Sequence, residues 1–238
     1  LKDALNQTNH PLVSLVDELP DLPLRELTEI IRPEERTLKA RATIRPDMPL
    51  STSGLLTGSR HSPSLIGQID KELASADRAD WLVSFIKFSG IRALKASLQR
   101  FTEQESLDGG PRLRIATTSY LGATDLKAIQ LLLDLPNTEV RVSFDTHRTR
   151  LHAKAYLFHR NTGFGTAYVG SANVSRVALD EGLEWTARIS QHELIHVWRQ
   201  IITGFETHWS NESEFELIGE ADLPRLEEAL VYIIDRKS

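Results

Sequence analysis

The segment Leu151-His152-Ala153-Lys154-Ala155-Tyr156-Leu157-Phe158 sets an imidazole and an ammonium two residues apart in an apolar, aromatic run. Such a run reads as a short, largely buried strand. Side chains alternate along a strand, so His152 and Lys154 are expected on one face, with the small Ala153 and Ala155 on the other. A second strand, Ala167–Val169, leaves through Gly170-Ser171-Ala172-Asn173. The glycine permits close backbone approach, and the Ser171 hydroxyl and Asn173 amide can bond phosphate oxygens. Glu184 then brings a carboxylate to the start of a third strand running to Ile189.

These residue types suit displacement at a phosphodiester. The reaction needs an in-line nucleophile, an acid for the leaving oxygen, and donors for the non-bridging oxygens. A neutral imidazole is a competent nucleophile near neutral pH. Attack by His152 would give a phosphohistidine, later opened by water. Lys154 and Asn173, assisted by Ser171, would hold the phosphate oxygens, and Glu184 would orient the imidazole. Side chains supply the positive charge, so neither a metal nor another cofactor is called for.

The His-x-Lys, Gly-Ser-x-Asn and Glu series resembles the phospholipase D superfamily, most of all its nuclease branch. That branch includes metal-independent restriction enzymes and the nuclease-like domain joined to bacterial superfamily II helicases. The resemblance covers about Leu50 to Ile189 and is strongest over Thr149–Arg188. It departs where the family commonly carries Asp five residues after the Lys: here that position is His159. Some nuclease members lack that Asp and carry a downstream Glu, so the resemblance implies Glu184 as the replacement. It also implies an α/β/α sandwich, catalysis by His152, Lys154, Ser171, Asn173 and Glu184, and DNA or another nucleic acid as partner.

Only one His-x-Lys is present. A second histidine is wanted as general acid, and the simplest source is a two-fold homodimer in which both copies of His152 and Lys154 meet. His147 and His159 are weaker candidates, the latter because its parity along the strand is opposite to that of His152.

The elements around the series alternate. Helical spacing covers Ser64–Ala76, Ile91–Phe101 and Thr124–Leu133, and buried strands are expected at Trp81–Ile86, Leu113–Thr117 and Glu139–Phe144. This alternation predicts a central, mainly parallel sheet with helices on both faces, and a site at the carboxyl ends of its strands. The loops at Lys87–Gly90, Thr117–Thr124 and Asp145–Arg150 would emerge there, with the free amides before the Thr124 helix adding a phosphate-friendly end. A long helix over Gln191–Trp209 and a last one over Ala221–Ile234 complete the domain, which is expected to span residues 49–238. Residues 1–48 read as a small N-terminal helical appendage, followed by a linker at Pro46 to Gly54. Trp185, Trp198 and Trp209 read as core.

Composition bounds the rest. The 238 residues carry no cysteine and a net charge of −5, which argues against a generally basic nucleic-acid coat. The local balance is different. Between Arg141 and Arg160 the only acid is Asp145, against five Lys and Arg and three His. Arg148 and Arg150 in this run are candidate phosphate clamps, with Gly170 admitting substrate. No secretory leader or membrane-length apolar stretch is apparent, so a cytoplasmic setting without a membrane partner is expected. With Leu1 in place of Met, the sequence reads as a fragment of a longer protein.

A competing pattern is His192-Glu193-Leu194-Ile195-His196, which matches the zinc-protease His-Glu-x-x-His. Its extension fails at Arg199 and Ile202, and its histidines belong to the polar face of the expected helix. The leading expectation is therefore a nuclease cutting DNA at a dimeric site. The alternatives are a non-catalytic nucleic-acid-binding or targeting module of a helicase, and a lipid phosphodiesterase.

Overall fold

The computed structural model describes residues 46–59, 62–106, 109–144, 151–181 and 184–235. The expected helical appendage falls almost wholly outside them. So does the Asp145–Arg150 loop, with His147, Arg148 and Arg150.

Eight strands form one sheet: β1 Gly54–Leu56, β2 Arg78–Val83, β3 Leu113–Thr118, β4 Thr138–Ser143, β5 Lys154–His159, β6 Thr166–Gly170, β7 Thr186–Ser190 and β8 Glu216–Ile218. Five helices accompany them: α1 Leu65–Leu73, α2 Phe88–Thr102, α3 Leu126–Leu133, α4 Ile195–Trp209 and α5 Leu223–Asp235. The strand order is β1-β7-β6-β5-β2-β3-β4-β8.

The sheet is mixed and mostly antiparallel, which corrects the mainly parallel expectation. Only β2–β3 and β3–β4 run parallel, where α2 and α3 provide the crossovers that parallel pairing requires. The β5–β6 pair is joined by a short loop through Gly163, and β6–β7 by a chain that makes one π turn at Val177–Glu181. Neither connection carries a crossover, so these strands fold back on one another. β5 also pairs antiparallel with β2, and this joins the two halves of the sheet.

Alternation along the strands sorts the core into two layers. Ala79, Trp81, Ile115, Val140, Tyr156, Phe158 and Tyr168 pack with Ile69, Leu98, Ile129 and Leu226 from α1, α2, α3 and α5. Leu82, Ala116, Ala155, Leu157 and Ala167 face the other way, against Trp198, Phe205 and Trp209 of α4. Ser64 caps α1 by accepting the Gly67 N–H at 3.3 Å, and Leu65, Ile69 and Leu73 make its buried stripe.

The segment at Pro46–Ser53 lies along β7. Arg188 donates to the carbonyl of Pro49 at 2.9 Å and to that of Thr52, and the Ser190 hydroxyl donates to Leu50 at 2.6 Å. Arg188 in turn belongs to a buried group in which Glu72 accepts from Arg160 at 2.6 Å and from the Tyr168 hydroxyl at 2.8 Å. Burial raises the Glu72 pKa, but the charges of Arg160 and Arg188 outweigh it, so the net shift is downward.

Candidate functional site

Strand register brings the sequence-predicted residues to one edge of the sheet. β2 and β6 end there while β5 and β7 begin, with Val83 opposite Lys154 and Gly170 opposite Thr186. Lys154, Ser171, Asn173 and Glu184 therefore converge from three connections.

Lys154 opens β5 and is only 4% exposed. Its Nζ donates to the backbone carbonyl of His152 at 2.7 Å. Burial lowers its pKa, and the nearby charge of Glu184 opposes that shift. Glu184 also accepts a hydrogen bond from the Ser171 hydroxyl. Ser171, Glu184 and Lys154 thus form a coupled group of hydroxyl, carboxylate and ammonium.

His152 precedes the strand rather than lying in it, so the expected side-by-side strand pair is not formed. Its ring is exposed and has no partner among the described residues. The reason lies in the lysine. Folding the ammonium back onto the His152 carbonyl takes that carbonyl out of the sheet ladder and starts the strand two residues later.

The Gly-Ser-Ala-Asn turn is held from behind. Asn173 Oδ1 accepts the Phe85 N–H at 3.2 Å, the Tyr156 hydroxyl donates to the Ala172 carbonyl at 2.8 Å, and Lys87 N–H donates to Val174 at 2.7 Å. Burial, then the charge of Glu184, pushes the Tyr156 phenol well above its ordinary pKa, so it stays a donor. Gly90 is tied to the same turn, because a Cβ there would lie 2.7 Å from the Val174 carbonyl carbon. At Gly170 a Cβ would meet the Trp185 carbonyl oxygen at 2.3 Å, so glycine is needed for close chain passage.

The fold is similar to that of phospholipase D family members. Nuc from Salmonella typhimurium, a phospholipase D family member, superposes with a TM-score of 0.49 at 14% identity, covering 71% of this chain and 99% of that one. NucT from Helicobacter pylori gives 0.45 at 16% identity, over 71% and 98% of the two chains. Phosphatidylserine synthase from Haemophilus influenzae gives 0.46 at 11% identity, over 78% and 46%. No family model matches the sequence, and no curated protein matches it.

Other expectations are changed by the structure. Part of the basic run is internal: Arg160 is bound to Glu72, and Arg141 lies over the Trp209 ring at 4.9 Å and donates to the Phe215 carbonyl. The start of α3 is not free for anions, because the Asp125 carboxylate beside it accepts from Lys87 at 3.0 Å and from the Phe88 N–H at 2.9 Å. Thr124 does not cap that helix either, its hydroxyl donating to Thr118.

His159 faces away from Lys154, as its parity requires, and bonds the buried Asp80 at 2.6 Å beneath Trp198. The His-Glu-x-x-His pattern does not form one helical turn. His192 lies in a turn against Phe164, α4 starts only at Ile195, and Glu193 accepts from Ser53 N–H. Among the described residues no group of three or more His, Cys, Asp or Glu could hold a metal ion. Nor is any described helix long and apolar enough to cross a membrane. Trp185, expected in the core, is exposed.

The residues missed from sequence are the braces. Phe85 acts through its backbone, which leaves no side-chain signal. Tyr156 had one, since its parity matches that of Lys154.

Proposed function

We propose that this chain is a metal-independent phosphodiesterase that cleaves DNA, using His152 as nucleophile at a site completed by a second copy of the chain. The observation that carries this reading is the meeting of Lys154, Ser171, Asn173 and Glu184 at one sheet edge beside an unencumbered imidazole.

In the first step an imidazole nitrogen of His152 bonds to phosphorus as the P–O bond to the leaving strand breaks. The leaving oxygen takes a proton from the partner's His152. In the second step water attacks phosphorus, the N–P bond breaks, and the water proton passes to the base that the first step created. Lys154 and the Asn173 amide hold the non-bridging oxygens, each contributing about 3–4 kcal/mol of transition-state stabilisation. Glu184, steadied by Ser171, keeps the ammonium charged and orients the imidazole. Arg148 and Arg150 would grip flanking phosphates.

The test is incubation of labelled DNA with wild-type protein and His152→Ala in EDTA. Cleavage by wild type that is lost in the variant supports the proposal. Binding without cleavage would favour a nucleic-acid-binding module, and hydrolysis of phosphatidylcholine alone a lipid phosphodiesterase. Sedimentation of the active protein as a monomer would overturn the shared site.

A further inference from the structure

Four tryptophans occur in the chain, and three are buried: Trp81 at 0%, Trp198 at 3% and Trp209 at 7% exposure. Trp185 is 65% exposed. It stands between Glu184 and Thr186, the first residue of β7, and its carbonyl packs against Gly170 next to Ser171. The large exposed ring is therefore anchored to the same span that carries the Ser171–Glu184 hydrogen bond. The sheet nearby is also open. α4 packs against Ala167 and Ile189, towards the far ends of β6 and β7, and Val169, Ala187 and Leu55 form a cross-strand row that it leaves accessible.

An exposed indole is costly unless it has an occupant, and its flat π-face fits other flat π-systems. In a nucleic acid, the groups of that kind nearest a bound phosphate are the flanking bases. Inside a duplex both faces of a base are already stacked, so a protein ring at this position can take only an unpaired base.

We propose that Trp185 is a stacking platform for an unpaired nucleobase next to the phosphodiester held by Lys154, Ser171 and Asn173. The inference rests on the phosphodiesterase reading and narrows its substrate to single-stranded or unpaired nucleic acid.

Binding of a labelled oligothymidylate, an abasic phosphodiester of the same length and a blunt duplex would be compared in EDTA for wild type, Trp185→Ala and Trp185→Phe. In Trp185→Ala the Kd for oligothymidylate should rise roughly 5- to 150-fold, the equivalent of losing one base stack. Trp185→Phe should retain most of the affinity, and abasic binding should be unchanged in both.

Unchanged oligothymidylate affinity in Trp185→Ala would overturn the platform, as would equal losses on the abasic ligand. So would conversion of the protein to a monomer, or a Trp185 emission shift on phosphatidylcholine–phosphatidylglycerol vesicles with none on the oligonucleotide. The two readings fail separately. Cleavage that depends on His152 but ignores Trp185 removes only the platform, whereas base-dependent binding without any His152-dependent cleavage removes only the nuclease.

Discussion

The side-chain oxygen of Asn173 accepts the backbone N–H of Phe85 at 3.2 Å. Only the oxygen of an amide can accept that proton, so the NH2 group of Asn173 is left as a donor for an anion. Asn173→Asp keeps the acceptor for Phe85 but replaces the donor by a carboxylate oxygen beside the phosphate. Its kcat on DNA should fall by about 10²–10³-fold, the usual cost of one lost anion-stabilising donor. The thermal midpoint should barely move, because the brace to Phe85 survives. Full activity in this variant would refute the donor role.

Glu184 should set the alkaline limit of activity. Burial lowers the Lys154 pKa and Glu184 raises it, and the ammonium must stay protonated to hold phosphate. Glu184→Gln removes the raising influence, so the alkaline limb of the kcat/KM profile should move to lower pH. Ser171→Ala keeps the carboxylate charge and should leave that limb in place while lowering the rate. A limb that stays fixed in Glu184→Gln would show that the carboxylate and ammonium are not coupled.

Much of this site was legible from residue spacing because its parts are strand ends, whose position follows from alternation. Lys154 and Asn173 needed only the period of two and a turn-forming glycine. The sheet direction was not legible in the same way. Strand–helix alternation holds for β2, α2, β3, α3 and β4, but nothing local in Lys154–Ser190 specifies crossover against hairpin. Trp185 was misplaced because an isolated tryptophan beside a strand is usually buried, and its exposure depends on where α4 begins. Two buried charge clusters did leave a trace. Glu72 lies three residues after Ile69 and seven after Leu65, on the apolar stripe of α1, and Asp80 interrupts a buried strand. A charge at a core position requires a buried partner.

Lys154 should cost stability while serving the chemistry. Its pKa is lowered on folding, so the folded state disfavours the ammonium. That penalty is fully present below the folded pKa and fades as pH rises toward the unfolded value. Lys154→Met should therefore abolish cleavage yet raise the melting temperature at pH 7, about 2–4 °C for each 1 kcal/mol recovered. The gain should shrink near pH 10, and a variant less stable than wild type at pH 7 would contradict the assignment.

The opposite face of the sheet should govern acid stability. Asp80 is buried, accepts from Arg114 at 2.7 and 2.8 Å, and bonds His159 at 2.6 Å, while Arg114 also binds Glu206. Burial works against the Asp80 charge, but the hydrogen bonds from Arg114 and His159 outweigh it and hold the carboxyl well below its usual range. A carboxylate with a depressed folded pKa contributes stability above its unfolded value, about 3.9, and loses it as pH falls toward the folded one. Asp80→Asn leaves Arg114 without its buried counter-charge and should lose about 3–5 kcal/mol in urea unfolding at pH 7. At pH 3 the gap to wild type should be smaller, since wild type has begun to lose this contribution. Glu72 is lowered in the same sense on the other face, so the variant should keep part of its acid dependence. An equal gap at both pH values would mean that Asp80 stabilises through packing and not through its charge.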